Sequence, residues 1–212
     1  IVSYLEENNI KSVDYLIITH YDKDHVGGAS KVIKNTEVKN ILAPDYQEDS
    51  KEFEKYMKSA DDKGITPVLV TDDFSFTVDG VDYTVYAPKK AYSADSDDND
   101  DNYFSLVTKA VYKDNSFVFT GDAIYQRLEE VMNIGDCDLL KIPYHARKID
   151  NLGQFLENTK PEYAVACTSE SEFADETKSL LNDYNITYYA TCYNGNITVT
   201  SDGHSIKIKT EK

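Results

Sequence analysis

The sequence is poor in the residues that build membrane anchors and disulfide frameworks. Its 212 residues hold only three cysteines, and no uncharged apolar run approaches the roughly 18 residues that a membrane span needs. The cysteines, Cys137, Cys167 and Cys192, are odd in number and widely spaced, which is typical of core packing. We therefore expect no membrane span in this chain, no disulfide framework and no thiolate zinc cluster.

Basic residues are also scarce. The chain has 22 Lys and Arg against 38 Asp and Glu, which gives a formal net charge of −16. Proteins that bind long nucleic acids usually present a basic face and gain affinity by releasing counterions. Long duplex DNA is therefore an unexpected partner, whereas a small anionic substrate or a short nucleic acid is easier to accept.

The remaining pattern predicts one globular α/β domain spanning residues 1–212. The length corresponds to little more than one domain at roughly 150 residues each, and the 41% of hydrophobic residues argues against disorder. Short β-rich runs alternate with helical stretches and no repeat is visible, which favours a layered fold. The pattern predicts a buried strand at 13–19, a helix at 51–63 and hairpins at 74–87 and 104–120.

Two further features are predicted to lie at the surface. Residues 95–101 contain five aspartates and no apolar residue, which indicates a solvated loop. A calcium-binding loop is the alternative, but the spacing lacks the glycine and the terminal glutamate of an EF-hand. His204 stands beside an Asp-Gly turn in the last hairpin, where a surface position is expected.

Four ligand-competent side chains follow the first strand directly. Residues 19–28 read T-H-Y-D-K-D-H-V-G-G, so His20, Asp22 and Asp24 project to one side of an extended segment. His25, at the start of the next helix, can turn toward the same point. A simple helix cap requires one Asp, Ser or Thr and no histidine. Since strand ends are where α/β sheets present ligand-binding residues, the segment predicts a metal site.

This segment resembles the signature H-x-D-x-D-H-x-G-G of the metallo-β-lactamase superfamily, in the form found in the hydrolase domain of the ComEC/Rec2 competence proteins. Other segments resemble landmarks of that family in the same order. The resemblance runs almost from end to end and implies a four-layer αββα sandwich. The matching segments are NYFSLV at 102–107, FVFTGD at 117–122, LLKIPYH at 139–145 and the hairpin at 194–203.

The resemblance also implies a two-metal centre in which one carboxylate bridges both ions. Zinc or manganese is expected, although histidine with carboxylates suits iron as well. Asp24 and His145 are expected to serve catalysis besides ligating metal, Asp24 by orienting the nucleophile. One ion is assigned to His20 and Asp22, the other to Asp24, His25 and His145, with Asp122 bridging them.

The implied function is hydrolysis by a metal-activated hydroxide, with a phosphodiester such as a nucleotide, an oligonucleotide or another small phosphoester as the expected substrate. β-Lactam hydrolysis is less favoured because the ligand set is rich in oxygen. The alternative is a non-catalytic metal-binding or interaction module, because Tyr144 and Asp175 stand where the family has histidine. The residues expected to contact the substrate are Asn102, Ser105, Arg147 and Lys148. For Arg147 and Lys148, the alternative is that they are ordinary charged residues of the surface.

A last group of expectations concerns what lies around the chain. Family members carry a strand-rich segment before the helix that begins here at Ile1, so we expect the first N-terminal strands to be missing from these residues. An uncovered sheet edge would then pair with a separate segment or with a second copy. No signal peptide is visible in these residues. The sequence does not fix the cellular location of the protein, and an extracytoplasmic or bacterial cell-surface location is favoured.

Overall fold

The computed structural model describes residues 1–89 and 101–212. Among these residues no helix is both long and apolar enough to cross a membrane. The helices are α1 Val2–Glu7, α2 Lys23–Val26, α3 Ala29–Asn35, α4 Lys51–Asp62, α5 Tyr125–Glu130, α6 Leu152–Thr159, α7 Asp175–Asp183 and α8 Thr191–Asn194. The strands are β1 Ser12–Ile17, β2 Glu37–Pro44, β3 Val68–Val70, β4 Phe74–Val78, β5 Val81–Tyr86, β6 Val107–Tyr112, β7 Asn115–Phe119, β8 Leu139–Lys141, β9 Tyr163–Ala166, β10 Thr187–Ala190, β11 Ile197–Ser201 and β12 Ile206–Thr210.

Two sheets carry the architecture. The smaller sheet is parallel, with strand order β1-β2-β3, and the larger has the order β10-β9-β8-β7-β6-β5-β4. The larger sheet is parallel from β10 to β7 and antiparallel from β7 to β4. Strands β11 and β12 form a separate hairpin. Since β1 and β7 belong to different sheets, residues that follow these strands can meet only where the two sheets lie together.

Three apolar clusters hold the layers together. The inner one lies between the sheets and contains Leu42, Val85 and Leu106, and the rings of Tyr15 and Phe76 stack across it at 3.8 Å. A second cluster packs α2, α3 and α4 on the outer face of the small sheet. The third and largest packs α5, α6 and α7 on the large sheet. The order of layers is helix, sheet, sheet, helix, as the resemblance implied.

Most predicted elements lie where the sequence pattern placed them. Helix α4 begins after Ser50, whose hydroxyl accepts a hydrogen bond from the Phe53 N–H at 3.3 Å, a typical N-terminal cap. The β4–β5 turn is made by Asp79 and Gly80, both with positive φ, as a tight hairpin requires. His204 is exposed, and its ring contacts Asp114 at 2.6 Å.

Two expectations have a different outcome. The acidic run at 95–101 lies outside the described residues except for Asp101, which begins a short 3-10 helix, Asp101–Phe104. Strand β1 is at one edge of the small sheet, so no described strand pairs with its outer side. Pairing of that edge with a further segment or a second copy stays a prediction.

Candidate metal centre

The side chains of the centre come from the ends of three strands. The chain leaves β1 into the segment from His20 to His25, leaves β7 toward Asp122, and leaves β8 toward His145. The backbone joins the two sheets here, because the Leu106 N–H donates to the Thr19 carbonyl at 2.9 Å. The structure therefore brings together side chains that are up to 125 positions apart in sequence (145 − 20).

Asp122 lies at the middle of the cluster and is almost fully buried. One of its oxygens, Oδ2, is 3.0 Å from His145 Nε2, and the other, Oδ1, is 3.4 Å from His25 Nε2. Asp24 faces the same two rings from the open side, with its Oδ2 3.0 Å from His145 Nε2 and 3.6 Å from His25 Nε2. Each of the two carboxylates thus faces the imidazole rings of both His25 and His145.

His20 and Asp22 form the other end of the cluster. The His20 ring is fully buried, and its Nε2 is 3.6 Å from Asp22 Oδ2. The His20 and His25 rings lie with their centroids 4.0 Å apart. All six side chains that were predicted to ligate metal therefore form one continuous cluster.

The donor atoms suit a divalent cation. The ligand atoms of His20, His25 and Asp122 all lie within 4.8 Å of one another, and so do those of Asp24, His25 and His145. Within residues 1–89 and 101–212, His20 Nε2 and His25 Nε2 are buried and have no hydrogen-bond partner. A buried polar atom without a partner is costly and uncommon. A cation between these nitrogens and the carboxylates would satisfy both of them, so the residues fit the group that the fold implies.

The charges of the cluster shift its pKa values in opposite directions. Burial acts to raise the pKa of Asp122, but contacts with His145 and His25 and the charge of Lys141 outweigh it, so this pKa lies far below its usual range. Asp122 in turn raises the pKa of His145 to about 9. The contact with His20 lowers the pKa of Asp22. In the metal-free protein, a proton on His145 therefore balances part of the carboxylate charge, and a cation would compete with that proton.

His145 is presented by an unusual turn. Tyr144, His145 and Ala146 all have positive φ, at 50°, 51° and 59°. Left-handed backbone costs energy for residues other than glycine and persists where the surroundings enforce it. The His145 Nδ1–H donates to the Cys167 carbonyl at 2.9 Å, which turns Nε2 toward the two carboxylates. The resemblance implied this histidine, but no local pattern predicts the turn.

Lys141 had no role in the sequence analysis and belongs to the cluster. Its ammonium group donates to the Gly121 carbonyl at 2.7 Å and to Asp122 Oδ1 at 3.2 Å. It therefore fixes the buried carboxylate and neutralises part of its charge. The signal that could have found it is its place at the end of a strand four positions before His145, in the same quoted segment.

The predicted substrate contacts lie in two different settings. Ser105 is fully buried, where its hydroxyl accepts from the Asp122 N–H at 3.1 Å and lies 3.4 Å from His20 Nδ1. Asn102 is also buried. The Ser105 hydroxyl thus supports the cluster, and contact of either side chain with substrate stays a prediction.

The cations after His145 are engaged by acidic neighbours. Arg147 pairs with Glu172 and lies 5.1 Å from the centre of the Tyr144 ring. Lys148 is 3.8 Å from Glu176. These ion pairs reduce the charge that either cation can offer to a substrate, so their role in binding stays a prediction. Asp175, where the family has histidine, is 95% exposed and pairs with Lys178 at 3.0 Å.

Comparison with known proteins identifies related sequences. The family model described as the metallo-β-lactamase superfamily matches residues 3–104. ComE operon protein 3 of Bacillus subtilis is 27% identical over 168 residues, and Recombination protein 2 of Haemophilus influenzae is 23% identical over 167. Each match covers 78% of this chain but 21% and 19% of the relative. The chain thus spans about a fifth of the length of these relatives.

Solved structures give the fold. A putative metal-dependent hydrolase from Parabacteroides distasonis superposes with a TM-score of 0.57 at 13% identity, covering 90% of this chain and 81% of the other. The chain has the metallo-β-lactamase fold. Tm1679, a metal-dependent hydrolase of the β-lactamase superfamily, gives 0.55 at 13% identity over 89% and 80% of the two chains. The Bacillus subtilis metallo-β-lactamase fold protein YhfI gives 0.53 at 13% identity over 84% and 74%.

Substitution of Gly121 by alanine is expected to destabilise the domain. Gly121 has φ +55°, and an added Cβ would lie 3.0 Å from Thr19 Cβ and 3.2 Å from Ser105 Cβ. Gly64 is the matched control, because its φ is +68° but no atom of the described residues lies within 4 Å of an added Cβ. In both variants, alanine in a left-handed backbone should lower the free energy of unfolding by about 1–2 kcal/mol. Gly121→Ala should lower it by about 1 kcal/mol more, because the added Cβ is crowded. Urea unfolding measures both, and equal losses would contradict the crowding.

Asp101 is expected to make stability depend on pH. Burial raises its pKa to about 6 against the hydrogen bond with Tyr46, and the charges of Glu48 and Asp22 add to the rise. The pKa of Asp101 in the folded protein therefore lies above its value of about 3.9 in the unfolded chain. The protonated carboxyl group favours the folded state at low pH, and this contribution to stability is lost as the pH rises from about 4 to 6.

The variant Asp101→Asn should therefore be more stable than the natural protein near neutral pH. The side chain is only half-buried, so the gain is expected to stay within about 1 kcal/mol. Unfolding midpoints measured between about pH 4 and pH 7.5 test this, with Asp61→Asn on an exposed part of α4 as control. Identical pH profiles for the natural protein and Asp101→Asn would show that Asp101 keeps an ordinary pKa.

Proposed function

We propose that this domain is a metal-dependent hydrolase that acts on small phosphodiesters, with zinc or manganese held by the six clustered side chains. The observation that carries the proposal is the pair of buried nitrogens, His20 Nε2 and His25 Nε2, which face carboxylates but have no hydrogen bond to any part of the chain that the structure describes. The fold supports the reaction class, since metal-dependent hydrolases share it. When bound, paired divalent ions lower the pKa of water toward neutrality and stabilise negative charge that develops on a phosphoryl group.

The chain's own residues would divide the remaining work. Asp122 supplies buried negative charge at the centre, and Lys141 holds its carboxylate in place at 3.2 Å. Asp24 is 61% exposed, so its carboxylate is open to solvent and can accept a hydrogen bond from the attacking water. His145 Nε2, at 3.0 Å from two carboxylates, would give up its proton when an ion arrives and hold that ion through the freed lone pair.

The substrate class follows from charge and size. A net charge of −16 repels long polyanions, whereas metal ions can still attract one or two phosphate groups. The two curated relatives are named for the ComE operon and for recombination, and we propose a related, competence-linked role on nucleotides or short oligonucleotides. The whole relatives' partners and an extracytoplasmic or cell-surface location stay predictions.

The test begins with the metal content of the purified chain. Elemental analysis should find zinc or manganese, and the loaded protein should hydrolyse bis(p-nitrophenyl) phosphate and a short single-stranded oligonucleotide faster than a chromogenic β-lactam. Loss of turnover on chelation and its return with metal would support the proposal. Absence of bound metal after incubation with either ion would overturn it.

The second candidate is a metal-binding module without hydrolytic activity. It is favoured by one observation, the exposure of Asp175 away from the cluster, which leaves that family histidine position without a counterpart among the clustered ligands. Stoichiometric metal binding without turnover on any of the three substrates would select this candidate.

A further inference from the structure

One hydroxyl group lies against both histidines of the first segment. Thr19 Oγ1 is 3.1 Å from His20 Nδ1 and 3.4 Å from His25 Nδ1. Its residue is held in place by the backbone, because the Thr19 carbonyl accepts from the Leu106 N–H at 2.9 Å. The hydroxyl therefore sits at a fixed point between two rings whose other nitrogens face the centre of the cluster.

The chemistry of these groups limits their arrangement. A hydroxyl oxygen has two acceptor lone pairs, and a neutral imidazole has one N–H and one bare nitrogen. The hydrogen bond made at one ring nitrogen sets the state of the other. If both Nδ1–H groups donate to Thr19 Oγ1, both Nε2 atoms carry a free lone pair, which is the form that binds a metal.

The burial of the opposite nitrogens agrees with this arrangement. His20 Nε2 and His25 Nε2 are buried and make no hydrogen bond with any residue that the structure describes. The carboxylate oxygens nearest to them are Asp22 Oδ2, at 3.6 Å from His20 Nε2, and Asp122 Oδ1, at 3.4 Å from His25 Nε2. Neither oxygen forms a hydrogen bond with the ring in this geometry, so a proton on either nitrogen would lack a well-placed acceptor, which is costly. Two independent observations, the shared hydroxyl on one side and the partnerless nitrogens on the other, thus favour the same tautomer for both rings.

We propose that Thr19 is a positioning residue that holds His20 and His25 in the Nδ1–H tautomer, so that both Nε2 atoms are ready to ligate before any metal arrives. The inference rests on the proposed function only in taking the ligand to be a metal ion. Tautomer control is a property of the metal-free chain. It can therefore be measured without any hydrolytic activity.

Ser105 is the competing partner for one of the two rings. Its Oγ lies 3.4 Å from His20 Nδ1 but already accepts from the Asp122 N–H at 3.1 Å. Thr19 is closer to His20 and is the hydroxyl that also contacts His25. Removing the Ser105 hydroxyl should therefore affect His20 alone, whereas removing that of Thr19 should affect both rings.

The experiment compares Thr19→Val, which keeps the shape and removes the hydroxyl, with Thr19→Ser, which keeps the hydroxyl. The ¹⁵N shifts of the imidazole nitrogens in metal-free protein report the tautomers, recorded at about pH 8.5, where an ordinary imidazole is neutral. His145 is an internal control, because its Nδ1 is bound to the Cys167 carbonyl and not to Thr19.

We expect His20 and His25 to be Nδ1–H tautomers in the natural protein and in Thr19→Ser, and to shift toward Nε2–H in Thr19→Val while His145 stays unchanged. The affinity for Zn²⁺, measured by calorimetry, should fall about tenfold or more in Thr19→Val and recover in Thr19→Ser. Unchanged tautomers and affinity in Thr19→Val would overturn the inference. If the natural protein shows the expected tautomers but binds no Zn²⁺ or Mn²⁺, the proposed function fails and the tautomer assignment stands.

Discussion

Asp122→Asn is expected to abolish metal binding and hydrolysis while the domain stays folded. The Asp122 side chain is only 4% exposed, and its two oxygens face His145 and His25 at 3.0 Å and 3.4 Å. Asparagine keeps the volume but loses the charge and one acceptor oxygen. The affinity for Zn²⁺ should fall by more than about 100-fold, beyond the loss caused by removing an outer hydrogen-bond partner of a ligand.

Elemental analysis, calorimetry with Zn²⁺ and turnover on bis(p-nitrophenyl) phosphate measure this loss, and thermal unfolding checks the fold. Asp175→Asn is the matched control, because Asp175 is 95% exposed and lies outside the cluster. It should bind metal and turn over substrate as the natural protein does. An Asp122→Asn protein with normal metal content and activity would remove Asp122 from the centre of the site.

The elements and the first half of the cluster could be predicted because their signals are local. His20, Asp22, Asp24 and His25 fall within six positions shortly after β1, a strand that is half-buried and not buried as predicted. A short extended segment with His20 and Asp22, followed by helix α2 with Asp24 and His25, is enough to bring them together. For these four residues, alternation and strand-end placement decide which way the side chains face, and neither depends on distant parts of the chain. Asp122 follows another strand end, but an aspartate there is common, and only the family resemblance implied its role.

The rest of the site depends on tertiary contacts that leave no local signal. Three left-handed residues in a row at Tyr144–Ala146 contain no glycine, so turn chemistry could not predict them. The partner of Arg147 is Glu172, 25 positions away, and the contact of Lys141 with Asp122 joins two strand ends 19 positions apart. Sequence spacing shows that such groups exist but does not show which of them meet.

The same limit applies to a charged residue in the core. Arg127 lies on the short helix α5 and is fully buried. Its Nε donates to the Ser105 carbonyl at 2.7 Å and its Nη2 to the Tyr86 carbonyl at 2.7 Å. Its Nη1 donates to Glu130 Oε2 at 3.0 Å, and that carboxylate also accepts from the Lys89 N–H at 3.0 Å. Arg127 thus ties the backbone beneath Asp122 to the end of β5.

Arg127→Met is expected to lower the free energy of unfolding by about 3–5 kcal/mol, because it removes one member of a buried ion pair and two further buried hydrogen bonds. The exposed pair of Lys58 and Asp62, at 2.8 Å, is the control, and Lys58→Met should cost less than about 1 kcal/mol. The double variant Arg127→Met/Glu130→Gln should recover part of the loss, since it also removes the buried negative charge. Urea unfolding of the metal-free proteins measures all three. If Arg127→Met lowers the free energy of unfolding no more than Lys58→Met, the buried arginine does not hold the Ser105 backbone. The backbone beside Asp122 must then be held by the apolar packing around Leu106 and Val107.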